Sequence, residues 1–136
     1  MDFHATFPPV PATVAEARRA IDQTLGAALP ASTANDLRLI VSELVTNVVR
    51  HAGLAPDQKM ELRGELGEGY VRVEISDPGN GFEPEVVPAA DRGSGWGLYI
   101  LDRLAQRWGT VGNEPNVVWF ELDLDHDRAR ATAGDR

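Results

Sequence analysis

A chain of 136 residues, 43% apolar and 25% charged, fits one globular domain that is long enough to bury a real core. Its net charge of −8 repels phosphate backbones and argues against direct nucleic-acid binding. The lack of cysteine excludes disulfides, thiolate nucleophiles and cysteine-held zinc, and His4, His51 and His126 have no metal-ligand spacing; no apolar run reaches membrane-spanning length and the N-terminus has no secretory pattern, so no membrane contact and a cytoplasmic location are expected.

Phe3, Ala5 and Phe7 fall on alternate positions, the pattern of a short strand. Pro8, Pro9 and Pro11 end it, because proline brings no N–H to a sheet ladder. Thr13 and Glu16 form a T-x-x-E capping box. Val14, Ala17, Ile21 and Leu25 follow at helical spacing, which predicts a first helix over about 13–27.

Ser32 or Thr33 is placed to cap a second helix, over about 33–51, with Gly53 as its stop signal. Leu37, Ile40, Val41, Leu44, Val45, Val48 and Val49 make its apolar stripe. At roughly 100° per residue, with Leu44 at zero, Glu43, Asn47 and Arg50 stand at about −100°, −60° and −120°. A carboxylate, an amide and a guanidinium thus line one edge of the buried stripe, where a ligand could lie. An ordinary solvated helix edge would give the same short pattern.

Met60, Leu62, Gly64 and Leu66 alternate with charged residues, and Val71, Val73 and Ile75 do so after the Gly67-Glu68-Gly69 turn. The two runs read as an antiparallel hairpin. Its second strand ends in Asp77-Pro78-Gly79-Asn80-Gly81. A carboxylate at a strand end needs hydrogen-bond donors, and the glycines remove Cβ atoms that would hold a ligand away. A tight Asx turn is the alternative.

Phe82 to Arg92 is polar and aperiodic, the expected mobile lid. Gly93-Ser94-Gly95-Trp96-Gly97 then opens a helix over about 96–107, with Leu98, Ile100, Leu101 and Leu104 at helical spacing. Its N–H groups suit an anion. The run lacks the lysine of a P-loop and does not match a dinucleotide fingerprint. A short strand over Trp108 to Val111 and a long one over Val117 to Leu124 complete the fold, with Trp119 off the apolar face and expected to meet a partner or a helix. Residues 125–136 read as a charged, frayed tail beyond a domain of residues 1–124.

Taken in order, E-x-x-x-N-x-x-R on a helix, D-x-G-x-G at a strand end and G-x-G-x-G before another helix resemble the N, G1 and G2 boxes of the Bergerat, or GHKL, ATPase superfamily, which includes the gyrase, histidine-kinase and MutL ATP-binding domains. The resemblance spans nearly the whole chain. It implies an α/β two-layer sandwich, the Bergerat ATP-binding fold, with three helices on one face of a mixed, mostly antiparallel sheet. The short single domain and S-E-L-V-T-N-V-V-R-H-A look most like the anti-sigma-factor serine/threonine kinases of the RsbW and SpoIIAB type. That type phosphorylates a serine of an anti-anti-sigma (STAS-type) partner and can sequester a sigma factor; a homodimer is compatible with it.

The resemblance implies ATP and Mg²⁺ as cofactors. It makes Glu43 the general base, Asn47 the Mg²⁺ ligand and Asp77 the acceptor for the adenine amine. It assigns Arg50, Gly79, Gly81, Gly93, Ser94, Gly95, Trp96, Gly97 and Leu98 to the nucleotide site, with Arg50 either offsetting phosphate charge or holding Glu43. Two features depart from the pattern. Gly93 intervenes between Arg92 and the glycine loop, which puts the arginine's phosphate role in doubt. Val117 and Val118 stand where many relatives carry a supporting threonine, so that contact is expected to be missing or replaced by water. A non-catalytic nucleotide-binding adaptor of the same fold is the alternative function. A catalytic domain acting on histidine is disfavoured by the lack of an acceptor helix.

Overall fold

The computed structural model describes residues 1–79, 97–112 and 115–124. The expected lid, most of the second glycine loop and the charged tail lie outside the described residues. Five strands, β1 (Asp2–Phe7), β2 (Met60–Leu66), β3 (Tyr70–Asp77), β4 (Arg107–Val111) and β5 (Asn116–Asp123), form one sheet in the order β1-β2-β3-β5-β4. Every pairing is antiparallel, one step beyond the mixed sheet expected. β3 and β4 run in the same direction but never meet, because β5 lies between them. The helices are α1 (Ala12–Gln23), α2 (Ala31–His51) and α3 (Gly97–Leu104), with a 3-10 turn at Gly26–Ala28.

The two faces of the sheet differ as the alternation predicts. Val71, Val73 and Ile75 of β3, Val118, Phe120 and Leu122 of β5, and Met60 and Leu62 of β2 are buried together with Ile21, Leu37, Ile40, Val41, Leu44, Val45, Val48 and Leu101 from the helices. Each such side chain is worth about 1.5–3 kcal/mol when fully buried. Val49, the last member of the stripe read on α2, is only half-buried. Gly64 continues the inner face of β2 without a side chain, since a Cβ there would stand 2.3 Å from Leu25 Cδ1. Among the described residues no helix is long and apolar enough to cross a membrane.

The helix starts differ from the expected caps. Both α1 and α2 begin directly after a proline, Pro11 and Pro30, with no side-chain cap. A proline ring fixes φ near its helical value and lacks the N–H that a first turn would orphan. Thr13 therefore lies inside the first turn, fully buried, and its hydroxyl donates to Pro8 O at 2.6 Å. The stop at Gly53 is as read, with φ of 68° just past the C-cap Ala52. Arg38 of α2 bonds Asp22 of α1 at 3.0 Å and holds the two helices in register.

The outer face carries paired charges. Arg72 donates to Glu121 at 3.0 Å, and Arg107 bridges Glu121 and Asp123. Trp119 is half-buried on this face. Arg72 stacks 4.3 Å from its ring centroid, and the indole lies across Gly109, where a Cβ would be 2.8 Å from Nε1. The Arg107 and Arg72 guanidiniums hold the Glu121 carboxyl below its ordinary value of 4.5. A depressed carboxyl stabilises the fold above its unfolded pKa and ceases to do so as pH falls through the folded one. Glu121→Gln is therefore expected to lower stability by no more than about 1 kcal/mol at neutral pH. The deficit should shrink as pH falls below the ordinary carboxylate range and through the depressed pKa of Glu121. Urea unfolding of both proteins at each pH checks this, and a deficit that persists in acid would contradict it.

Candidate functional site

α2 carries the first part of the site. Its stripe fixes the rotation of the helix, so Glu43 and Asn47 are held at the margin of the core rather than in it. Glu43 is half-buried, Asn47 is 9% exposed and Arg50, in the last turn, is exposed. Among the described residues, the side chains of Glu43 and Asn47 make no hydrogen bond or ion pair. Buried amides are normally partnered. One that is nearly buried, reaches the surface and has no protein partner is set up to meet a ligand. Arg50 does not hold Glu43, since no ion pair joins them among the described residues.

The second part is the end of β3. Asp77 is 5% exposed. It accepts the N–H of Gly79 through Oδ1 at 2.9 Å, so the Asx turn is present. Asn116, the first residue of β5 and directly opposite Asp77 in register, donates through Nδ2 to Gly79 O at 2.6 Å and to Asp77 Oδ1 at 3.5 Å. Among the described residues, both of these contacts to the carboxylate reach Oδ1. The turn and the acceptor for a ligand thus coexist.

Gly79 serves a purpose that its sequence context hides. A Cβ there would stand 2.2 Å from Ala52 O and 2.7 Å from Leu54 Cδ2. The turn after β3 is seated on the backbone at the end of α2. Ala52 lies five residues past Asn47, about 7.5 Å along the helix axis. This seat sets the turn at Gly79, and with it the strand end that carries Asp77, against the C-terminal end of the helix that carries Asn47.

The third part is α3, which begins at Gly97 and Leu98, as the glycine loop predicts, and packs on α2. Gly81, Gly93, Ser94, Gly95, Trp96 and Arg92 lie outside the described residues. Among the described residues no group of three or more His, Asp or Glu side chains could hold a metal. A divalent cation at this site would rest on Asn47, water and the phosphates of a nucleotide, and a neutral amide oxygen suits Mg²⁺, which keeps several waters. The unpartnered Asn47 fits that role.

Asn116 escaped the sequence reading. Val118 stands opposite Ile75 and Val117 opposite Ser76, so neither meets Asp77. The polar contact expected to be missing is supplied one position earlier. A polar residue opening a strand that continues with four apolar residues was the signal for it.

Comparison with known proteins agrees with this geometry. The family pattern described as the histidine kinase-like ATPase domain matches residues 7–122. Among solved structures, the chain is similar to the histidine kinase domain from Erythrobacter litoralis EL346 blue-light activated histidine kinase, at 25% identity and a TM-score of 0.59. The match covers 90% of this chain and 64% of that one, so this chain spans just under two thirds of its relative. No curated protein matches. With the nearly buried Asn47 on α2, a strand-end aspartate braced over the turn at Gly79, and α3 opening at Gly97, the chain belongs to the histidine kinase-like ATPase domain family and is an ATP-binding module of the GHKL type.

Proposed function

We propose that this module is an ATP-dependent protein serine/threonine kinase of the anti-sigma-factor type, acting on an anti-anti-sigma (STAS-type) partner and able to sequester a sigma factor. The observation that carries the reading is Glu43. Its half-buried carboxylate meets no side-chain partner among the described residues, and it stands one helical turn from Asn47, whose amide meets none there either. A module that only bound nucleotide would have no use for a free base beside the cation ligand.

In this reading Asp77 accepts the adenine amine and Asn47 binds Mg²⁺, which offsets the phosphate charge. Glu43 takes the proton of a serine hydroxyl as its oxygen attacks the γ-phosphorus, and ADP leaves with the electrons of the broken P–O bond. Proton transfer to a carboxylate at this distance from the cation ligand needs no further side chain. Mg²⁺ and ATP are the expected cofactors, and the reaction belongs in the cytoplasm.

The test is transfer from γ-labelled ATP to a STAS-type acceptor and to its Ser→Ala variant. Acid-stable label on the first and none on the second is the expected result. Acid-labile label would point to a histidine acceptor. Nucleotide binding with no transfer to any acceptor would leave the non-catalytic adaptor as the function.

A further inference from the structure

The Asn116 amide faces two acceptors at once, the carboxylate of Asp77 and the carbonyl of Gly79. Its NH₂ group can serve both, because it carries two hydrogens, one for each. A hydroxyl carries one, so a threonine at this position could satisfy only one of the two. The register places Asn116 opposite Asp77, at the far end of the sheet ladder from the hairpin turn. Its position is fixed by β5, whose inner residues Val118, Phe120 and Leu122 are buried. The side chain therefore braces two groups against a rigid strand: the carboxylate that reads the base and the backbone of the turn that follows it. Gly79 N–H and Asn116 both meet Oδ1 of Asp77, and among the described residues Oδ2 is the oxygen open to a ligand.

We propose that Asn116 is a positioning residue for base recognition, which fixes the rotamer of Asp77 and so sets the preference for a purine bearing an exocyclic amine. The inference rests on the nucleotide-binding reading above, but it concerns base discrimination and not phosphate transfer. Asn116 touches neither the base nor the phosphates. It acts through Asp77, and its loss should appear only with ligands that use the amine.

The experiment compares binding of ATP, and of purine riboside triphosphate, which lacks the exocyclic amine, to the native protein, Asn116→Ala and Asn116→Thr by calorimetry. Thermal melts run alongside confirm that each variant is folded. Asn116→Ala is expected to weaken ATP by about tenfold, the worth of one good hydrogen bond. It should change the affinity for the analogue by less than about twofold. Asn116→Thr should fall between. In an Asp77→Asn background, Asn116→Ala should cost little more, because the two residues act as one unit. Equal losses for ATP and analogue would mark Asn116 as a merely structural support and overturn the inference, as would no loss at all. A native protein that binds neither nucleotide would instead remove the nucleotide-binding reading itself. One that prefers ATP while Asn116→Ala keeps that preference would remove this inference alone.

Discussion

Gly79→Ala is expected to be the most damaging small substitution in the site, costing about 1–3 kcal/mol of stability, together with most of the nucleotide affinity. The reason is steric and not conformational. Gly79 is not among the positive-φ glycines, which among the described residues are Gly53 and Gly69, so alanine could adopt its backbone angles. The added Cβ would meet Ala52 O at 2.2 Å and Ala52 C at 2.9 Å. Both are backbone atoms at the end of α2, so relief requires the turn or the helix end to move. Moving the turn withdraws the Gly79 N–H from Asp77 Oδ1 and the Gly79 carbonyl from Asn116. Stability and ATP binding should fall together. Asp77→Asn is the informative contrast, since it should weaken ATP by about 1–3 kcal/mol while leaving the packing at Ala52 intact. Urea unfolding and ATP titration of both variants check the pair. Gly79→Ala with native stability would show that the turn is free to shift and that the seat on α2 is not what makes glycine necessary.

Where pattern alone decides structure, the sequence was a sufficient guide. The period of the α2 stripe set which residues are buried, and with them the edge on which Glu43 and Asn47 stand. The alternation in β2, β3 and β5 told the inner face from the outer one. Readings that depend on competition between local options did less well. Thr13 and the pair Ser32 and Thr33 have cap chemistry, but Pro11 and Pro30 have the torsion a helix start needs and claimed the boundary first. Residues brought together by register were not legible at all. Asn116 lies 39 positions from Asp77, and a one-residue slip of β5 would have turned it to the other face. Gly79 was read as making room for a ligand, and the structure places the α2 backbone against it. Trp119 was expected to meet a partner or a helix, and within the sheet it meets Arg72 and lies across Gly109.

Glu43→Ala is expected to lower phosphate transfer by about a hundredfold or more, the usual worth of a positioned base, with ATP affinity nearly unchanged. The Glu43 side chain makes no hydrogen bond or ion pair among the described residues, so its removal leaves no group unsatisfied and should not disturb the fold. It stands on the outer side of the stripe from Leu44, and the core residues Ile40, Leu44 and Val48 pack without it. Asn47→Ala should act differently. If the amide holds Mg²⁺, the variant should bind Mg-ATP more weakly, and transfer should fall because nucleotide is lost. Raising ATP and Mg²⁺ should then recover much of the rate for Asn47→Ala and none of it for Glu43→Ala. The discriminating measurement is transfer rate against ATP concentration for both variants, at two Mg²⁺ levels, beside a binding titration. A Glu43 variant that transfers at the native rate would take the carboxylate out of the reaction. If the native module itself transfers nothing to a serine-bearing partner, Glu43→Ala has no rate to lower, and the non-catalytic adaptor then accounts for the same geometry with Asn47 and Asp77 alone.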